Sequence, residues 1–250
     1  ALRAEVEAGY IHVPLKVAIL MMVLNARHAP KALILRHSAN LGLAALASLF
    51  APGSRLYSFL KTASITKTVS VKYGTEIHAL PRFTHENERE FETFWDEVVS
   101  EGNFITITRS PEFLRIRLLG NPVMPNWLLA CRVHGELIGY VVVSLSTVRG
   151  VSYGIVEDMV ALREHKNAFL KLLIEAIRFL KEKGAIYVFT WLGVGKYASW
   201  YIKALRKIGF VGRTFKKNFI VKLTTSHLDE KYVLDSRNWF ITRAFSEGIW

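Results

Sequence analysis

The sixty residues from Val151 to Phe210, VSYGIVEDMVALREHKNAFLKLLIEAIRFLKEKGAIYVFTWLGVGKYASWYIKALRKIGF, decide the fold. Val151 to Ala161 reads as a strand carrying two acids, Glu157 and Asp158. Lys166 to Lys183 is the strongest helix in the chain. Phe169, Leu172, Leu173, Ala176, Ile177 and Leu180 form one apolar stripe at helical spacing. Lys171 and Glu175, and Arg178 and Glu182, are i,i+4 pairs on the other face. Gly184 is the expected C-terminal stop. Ala185 to Leu192 is rich in β-branched and aromatic residues and reads as a buried strand. Tyr197 to Ile208 is a second amphipathic helix, ended by Gly209. A strand, a crossover helix and another strand in one sheet make a parallel pair.

Working back from this block, Trp127 to Val133 and Leu137 to Leu145 flank a hairpin signal, His134-Gly135-Glu136. Further upstream, Ser110 stands at an N-cap and Pro111 at the first helical position of a short helix over 111–119. The run His85 to Val99 is acidic at its start and amphipathic. Thr75 to Leu80 reads as a strand ended by Pro81. Val211 and Asn218 to Leu223 supply the last strands. The order from Gly74 is β-α-α-β-β-β-α-β-α-β-β. The fold class is therefore α/β (α+β), a mixed, mostly antiparallel sheet with helices on both faces.

The region before Gly74 differs. Between Glu7 and Glu76 no acidic residue occurs, whereas Lys16, Arg27, Lys31, Arg36, Arg55, Lys61, Lys67 and Lys72 are basic. Helices are expected near 15–26 and 39–50, with Pro52-Gly53 as a break. Three parts follow: a basic, mainly helical segment over 1–73, a mixed domain over 74–223 and a tail over 224–250. The basic helical segment either lies on an acidic membrane surface or packs on the neighbouring domain.

The 250 residues carry 51% hydrophobic and 22% charged residues, which excludes wholesale disorder. The net charge of +12 favours anionic partners: nucleic acid, phosphorylated cofactors or acidic membranes. Cys131 is the single cysteine, so no intrachain disulfide or cysteine-cluster metal site exists, and a reducing, cytoplasmic location is expected. No histidine spacing suits zinc, so no metal is expected. The apolar run Val17 to Leu24 is far shorter than the roughly 18 residues a spanning helix needs. The aromatic residues follow core spacings, and specific nucleic-acid binding is not expected.

The element order over 74–223, with its crossover block ending in Ile208-Gly209-Phe210, resembles the GNAT acyltransferase superfamily. Two stretches, Arg109-Ser110-Pro111-Glu112-Phe113-Leu114-Arg115-Ile116-Arg117 with Asn121-Pro122, and Trp239-Phe240-Ile241-Thr242, are similar to a subgroup with tandem GNAT domains. On that resemblance Gly9 to Pro14 would be the end of an upstream GNAT domain, and the chain, starting at Ala1, a fragment. It implies transfer of an acyl group from acetyl-CoA or another acyl-CoA to an amine on a small molecule, glycan precursor or peptide. The strands either side of the crossover helix would splay to admit the pantetheine arm. The helix N-terminus would hold the pyrophosphate.

The same resemblance implies Glu157 as base; Tyr201, one turn before the family's tyrosine position, would serve as acid only with a shifted geometry. It places the cofactor at Arg163, His165, Lys166, Asn167 and Ala168. Two departures stand out. The helix entry, Arg163 to Phe169, has no glycine, and the family's usual tyrosine position, four residues before Gly209, is Leu205. Both alter the site and spare the core pattern, so a GNAT-fold module without catalysis is the alternative. Each candidate also has a structural explanation. Either acid can pair with an arginine, Tyr201 follows a packing stripe, and the basic helix entry can be an ordinary loop. Strand alternation places Glu157 and Asp158 on opposite faces, so at most one faces an acceptor. Lys203, Arg206, Lys207, Arg213, Lys216 and Lys217 form a second basic group, which is either a solvated face or an anion-attracting one.

Overall fold

The computed structural model describes residues 10–24, 74–80, 84–120, 124–222 and 229–245. Seven strands are present among them: β1 (Tyr10–Val23), β2 (Thr75–Leu80), β3 (Asn126–Val133), β4 (Glu136–Val148), β5 (Val151–Ala161), β6 (Tyr187–Gly193) and β7 (Val211–Lys222). They form one sheet in the order β2-β3-β4-β5-β6-β1-β7. All neighbours are antiparallel except β5 and β6, which are parallel. The helices are α1 (His85–Ser100), α2 (Pro111–Phe113, continued by a π-helical turn over Leu114–Leu119), α3 (Lys166–Glu182), α4 (Ser199–Lys207) and α5 (Glu230–Leu234).

Local signals act as the sequence predicts. The β3–β4 turn has His134 at φ 55° and Gly135 at φ 87°, the double left-handed turn that matches strand twist. Ser110 accepts from the Phe113 N–H at 3.2 Å, and Pro111 opens α2. The α3 stripe is buried throughout. Trp127 and Cys131 of β3 face α3, through Phe179 at 5.3 Å and the Ala168 carbonyl at 3.9 Å. Cys131 pairs with Gly139, so Tyr140 turns to the opposite face, where Phe91 and Phe94 of α1 meet it. The sheet is thus covered on both faces.

The helix expected over 15–26 is corrected: Tyr10–Val23 is strand β1, between β6 and β7. Val13, Leu15 and Val17 pack on one face with Trp239 and Ile241, while Ala18, Leu20 and Met22 join the main core on the other. A strand buried on both faces gives a continuous apolar run that periodicity cannot tell from a helix. Pro14 is tolerated because pairing with β6 begins only at Val17, leaving β7 alone beside it. The expected helix over 39–50 lies outside the described residues. Val211–Lys222 is one strand, not two, and Arg178 pairs with Glu175 instead of Glu182. With residues 15–23 in the sheet, the membrane-surface helix loses its first half. No helix among the described residues is long and apolar enough to cross a membrane.

Candidate active site

β5 and β6 share only two registered pairs, Gly154 with Val188 and Ile155 with Phe189. The Thr190 hydroxyl donates to the Val156 carbonyl at 2.8 Å and closes the next rung by side chain. Beyond it the strands part, leaving Glu157 to Ala161 on one wall and Trp191 to Gly193 on the other. The expected divergence is present, and α3 starts at its mouth. The helix follows a 3-10 turn over Arg163–His165, which carries Glu164, and has no side-chain cap and no acid in its own first turn. Lys166 and Asn167 are exposed there, and Ala168 is buried.

At Glu157 the β4–β5 register slips: Val142 pairs with Asp158, but Val143 pairs with Val156. Glu157 is the extra residue of a bulge, which re-aims side chains. Ser144 donates to Glu157 Oε1 at 2.6 Å, and Tyr140 donates to Asp158 Oδ2 at 2.8 Å. Tyr140 and Ser144 lie four apart on β4 and share a face. Both carboxylates therefore reach that face, and the alternation argument that separated them is corrected.

Each acid already has a cation. Arg243 Nε lies 2.9 Å from Glu157 Oε2. Arg109, 1% exposed, donates from Nε and Nη2 to Asp158, from Nη2 to Thr242, and from Nη1 to Thr106 and the Ile107 carbonyl. Thr242 donates to Asp158 Oδ1 at 2.6 Å. Burial disfavours the Arg109 charge, but Asp158 and Tyr140 outweigh it and hold the guanidinium above its ordinary pKa. Trp95 and Phe240 rings lie 5.2 and 4.9 Å from its Cζ.

Tyr201 is fully buried. Its hydroxyl accepts from the Ala161 N–H at 2.9 Å and donates to the Ala161 carbonyl at 3.1 Å. Burial, then the neighbouring Tyr197, push this phenol well above its usual pKa. The structure does not bring Tyr201 and Glu157 together: Ala161 is four residues along β5 from Glu157, about 13 Å. Leu205, the other position considered, is buried and offers no hydroxyl. Phe169 fills space against Trp200 and Tyr201, with ring centroids at 5.0 and 5.3 Å.

The wedge holds the chain's own tail. The Gly193 N–H donates to the Ile241 carbonyl at 2.8 Å, while the next residue, Val194, donates to Lys16 of β1 on the opposite edge. Leu192 and Thr242 form an antiparallel bridge. On its far side the tail pairs with Ile105, through Ile105 N–H to Asn238 O and Phe240 N–H to Ile105 O. Phe240 stacks on Tyr201 at 5.3 Å.

At the mouth, the Arg163 N–H donates to Glu101 Oε1 at 2.7 Å, and Tyr197 donates to Oε2 at 3.2 Å. Glu101 thus ties the two walls together. Arg163 Cζ stacks 4.4 Å over the Tyr197 ring, and its Nε is buried without a partner. His165 Nε2 lies 3.1 Å from Glu164. The second basic group, Lys203, Arg206, Lys207, Arg213, Lys216 and Lys217, is exposed on α4 and β7. Among the described residues no group of His, Cys, Asp or Glu is arranged to hold a metal ion. Sequence reading missed Arg109, Glu101, Ser144 and Arg243. The available signals were the stretch Arg109 to Arg117 and the aromatic-apolar run Trp239 to Thr242, neither of which showed the pairing with Asp158 or Glu157.

No family model and no curated protein matches the chain. Solved structures of similar fold include a GCN5-related N-acetyltransferase from Anabaena variabilis ATCC 29413, 11% identical over 88% of this chain and 43% of that chain, TM-score 0.48. Another is a tandem GNAT protein from the clavulanic acid biosynthesis pathway, 15% identical over 88% and 57%, TM-score 0.46. An aminoglycoside acetyltransferase from an uncultured soil metagenomic sample is 14% identical over 56% and 90%, TM-score 0.40. This chain thus spans about half the length of the first two. Scores this low carry no argument. The strand order, the one parallel pair, its divergence and the crossover helix at its mouth are this chain's own features, and they make the α/β fold with a mixed, mostly antiparallel sheet that the sequence predicts.

Proposed function

We propose that the chain is an acyltransferase-type domain that takes acyl-CoA, acetyl-CoA being the simplest, and serves an amine acceptor on a small molecule, glycan precursor or peptide. The observation that carries this reading is the uncapped start of α3, with Arg163, His165 and Lys166 beside it, at the mouth of two diverging parallel strands. The N–H groups of the first turn of α3 and the helix dipole suit a pyrophosphate. The phosphate end therefore fits. The arm fits only if Tyr201 releases the Ala161 N–H and carbonyl to it. Glu157, on the β5 wall of the gap, takes the amine proton once Arg243 moves off.

One observation favours a second reading, a GNAT-fold module without catalysis. Tyr201 on Ala161, and Ile241 on Gly193, already occupy the backbone groups of both walls. Calorimetric titration with acetyl-CoA separates the two. Saturable heat below millimolar ligand supports the first reading. Absence of heat and of any thermal shift at millimolar ligand removes it and leaves the second.

A further inference from the structure

Lys16 of β1 and Lys216 of β7 stand directly opposite each other in the ladder, and both are exposed. Like charges in opposed positions destabilise a sheet. Neither strand supplies a carboxylate to relieve the pair. β1, β6, α4 and β7 contain no Asp or Glu, and none occurs in the sequence from Lys183 to Leu228. Exposed arginines elsewhere have acids beside them: Arg178 pairs with Glu175, and Arg237 with Asp235.

Alternation fixes the side these lysines occupy. A Cβ on Gly154 would meet Leu180 of α3 and Val188 of β6, so Val188 faces α3. Val188 pairs with Met22, and Leu20, Ala18 and Lys16 follow in steps of two on that side. α4 packs there too, with Trp200 and Tyr201 against Phe169 of α3. It exposes Lys203, Arg206 and Lys207, at i, i+3 and i+4 on one face. Lys16, Lys203, Arg206, Lys207 and Lys216 thus lie on one side of the sheet, and none of them makes an ion pair among the described residues. Arg213 and Lys217 pair with Ile19 and Leu15 and alternate to the tail side.

What this surface lacks decides its partner. The exposed large apolar side chains among the described residues are Val99, Ile116, Val148 and Leu234, none of them on α4, β1 or β7. A protein interface is anchored by aromatic or aliphatic side chains, and a membrane contact by apolar insertion. Single-stranded nucleic acid needs exposed rings on which bases stack. The phosphates of a duplex need only cations. We propose that the side of the sheet carrying α4 docks a nucleic-acid duplex through its phosphate backbone, without reading sequence. The duplex is a partner beyond acyl transfer, and its binding does not depend on that reading.

Fluorescence anisotropy with the full-length chain and two labelled DNA duplexes of unrelated sequence tests it. Five neutralised phosphates give a log–log salt slope of about −4.5, so affinity should fall about 500-fold between roughly 50 and 200 mM salt, equally for both duplexes. Lys203→Gln with Lys207→Gln should flatten that slope by about 2. Arg213→Gln with Lys217→Gln, on the tail side, should leave it nearly unchanged. Lys216→Gln should weaken binding while Tm holds or rises, because the opposed pair is relieved, and this separates lost binding from lost folding. No binding at low salt, a marked preference for one sequence, or the same slope in all variants overturns the proposal. So does displacement of the duplex by polyglutamate of equal charge, or flotation with phosphatidylglycerol vesicles by a chain that ignores the duplex.

Discussion

Replacing Arg109 by Met or Asp158 by Leu is expected to destabilise the fold more than any surface change can. Both residues are essentially inaccessible, at 1% and 0% exposure, and they are joined by two hydrogen bonds at 2.9 and 3.3 Å. Removing either partner strands a buried charge, which costs about 3–5 kcal/mol. In a domain of this size each kcal/mol lowers Tm by about 2–4 °C, so each single substitution should lower it by roughly 6–20 °C. The double variant Arg109→Met with Asp158→Leu removes both charges together. It still leaves the Tyr140, Thr106 and Thr242 hydroxyls short of a partner, so its cost should resemble that of one single variant and not the sum of two. Urea unfolding of the four proteins then gives a coupling of about 3–5 kcal/mol. Two cheap, additive single substitutions, each below about 1 kcal/mol, would refute the claim that this ion pair holds β5 to residues 104–109 and the tail.

Three further outcomes are expected. Tyr201→Phe leaves the Ala161 N–H and carbonyl without their partner and should cost about 1–3 kcal/mol in urea unfolding; an unchanged midpoint would contradict the tie across the wedge. Lys166→Glu puts an acid at the positive end of α3 and should weaken acetyl-CoA binding roughly fivefold at low salt, an effect of about 1 kcal/mol; equal affinity would place the ligand elsewhere. Burial pushes the Cys131 thiol up to about 11. At pH 8 the native chain should resist iodoacetamide and label fully in urea, and rapid native labelling would show that β3 is not covered by α3.

What could be read in advance divides along physical lines. The block from Val151 to Phe210 was legible because Gly184 and Gly209 end helices whose apolar stripes have a single face. β1 was not, because Val17 to Leu24 is buried on both faces and carries no period that distinguishes strand from helix. The shared face of Glu157 and Asp158 depends on an inserted residue in the β4–β5 ladder, which no pattern within β5 alone reveals. The helix entry itself was legible because its residues are contiguous. Arg109 and Glu101 were missed because their partners, Asp158 and the Arg163 N–H, lie 49 and 62 residues away. The tail was visible as an apolar run, but its seat against Gly193 is a long-range fact.

The most direct test of the wedge as the ligand site is amide hydrogen exchange with and without saturating acetyl-CoA. The account predicts slowed exchange at Lys166, Asn167 and Ala168, where the helix start meets the phosphates, with altered exchange at Ala161 as Tyr201 gives way. Unchanged exchange over 161–169, with or without protection elsewhere, would contradict it.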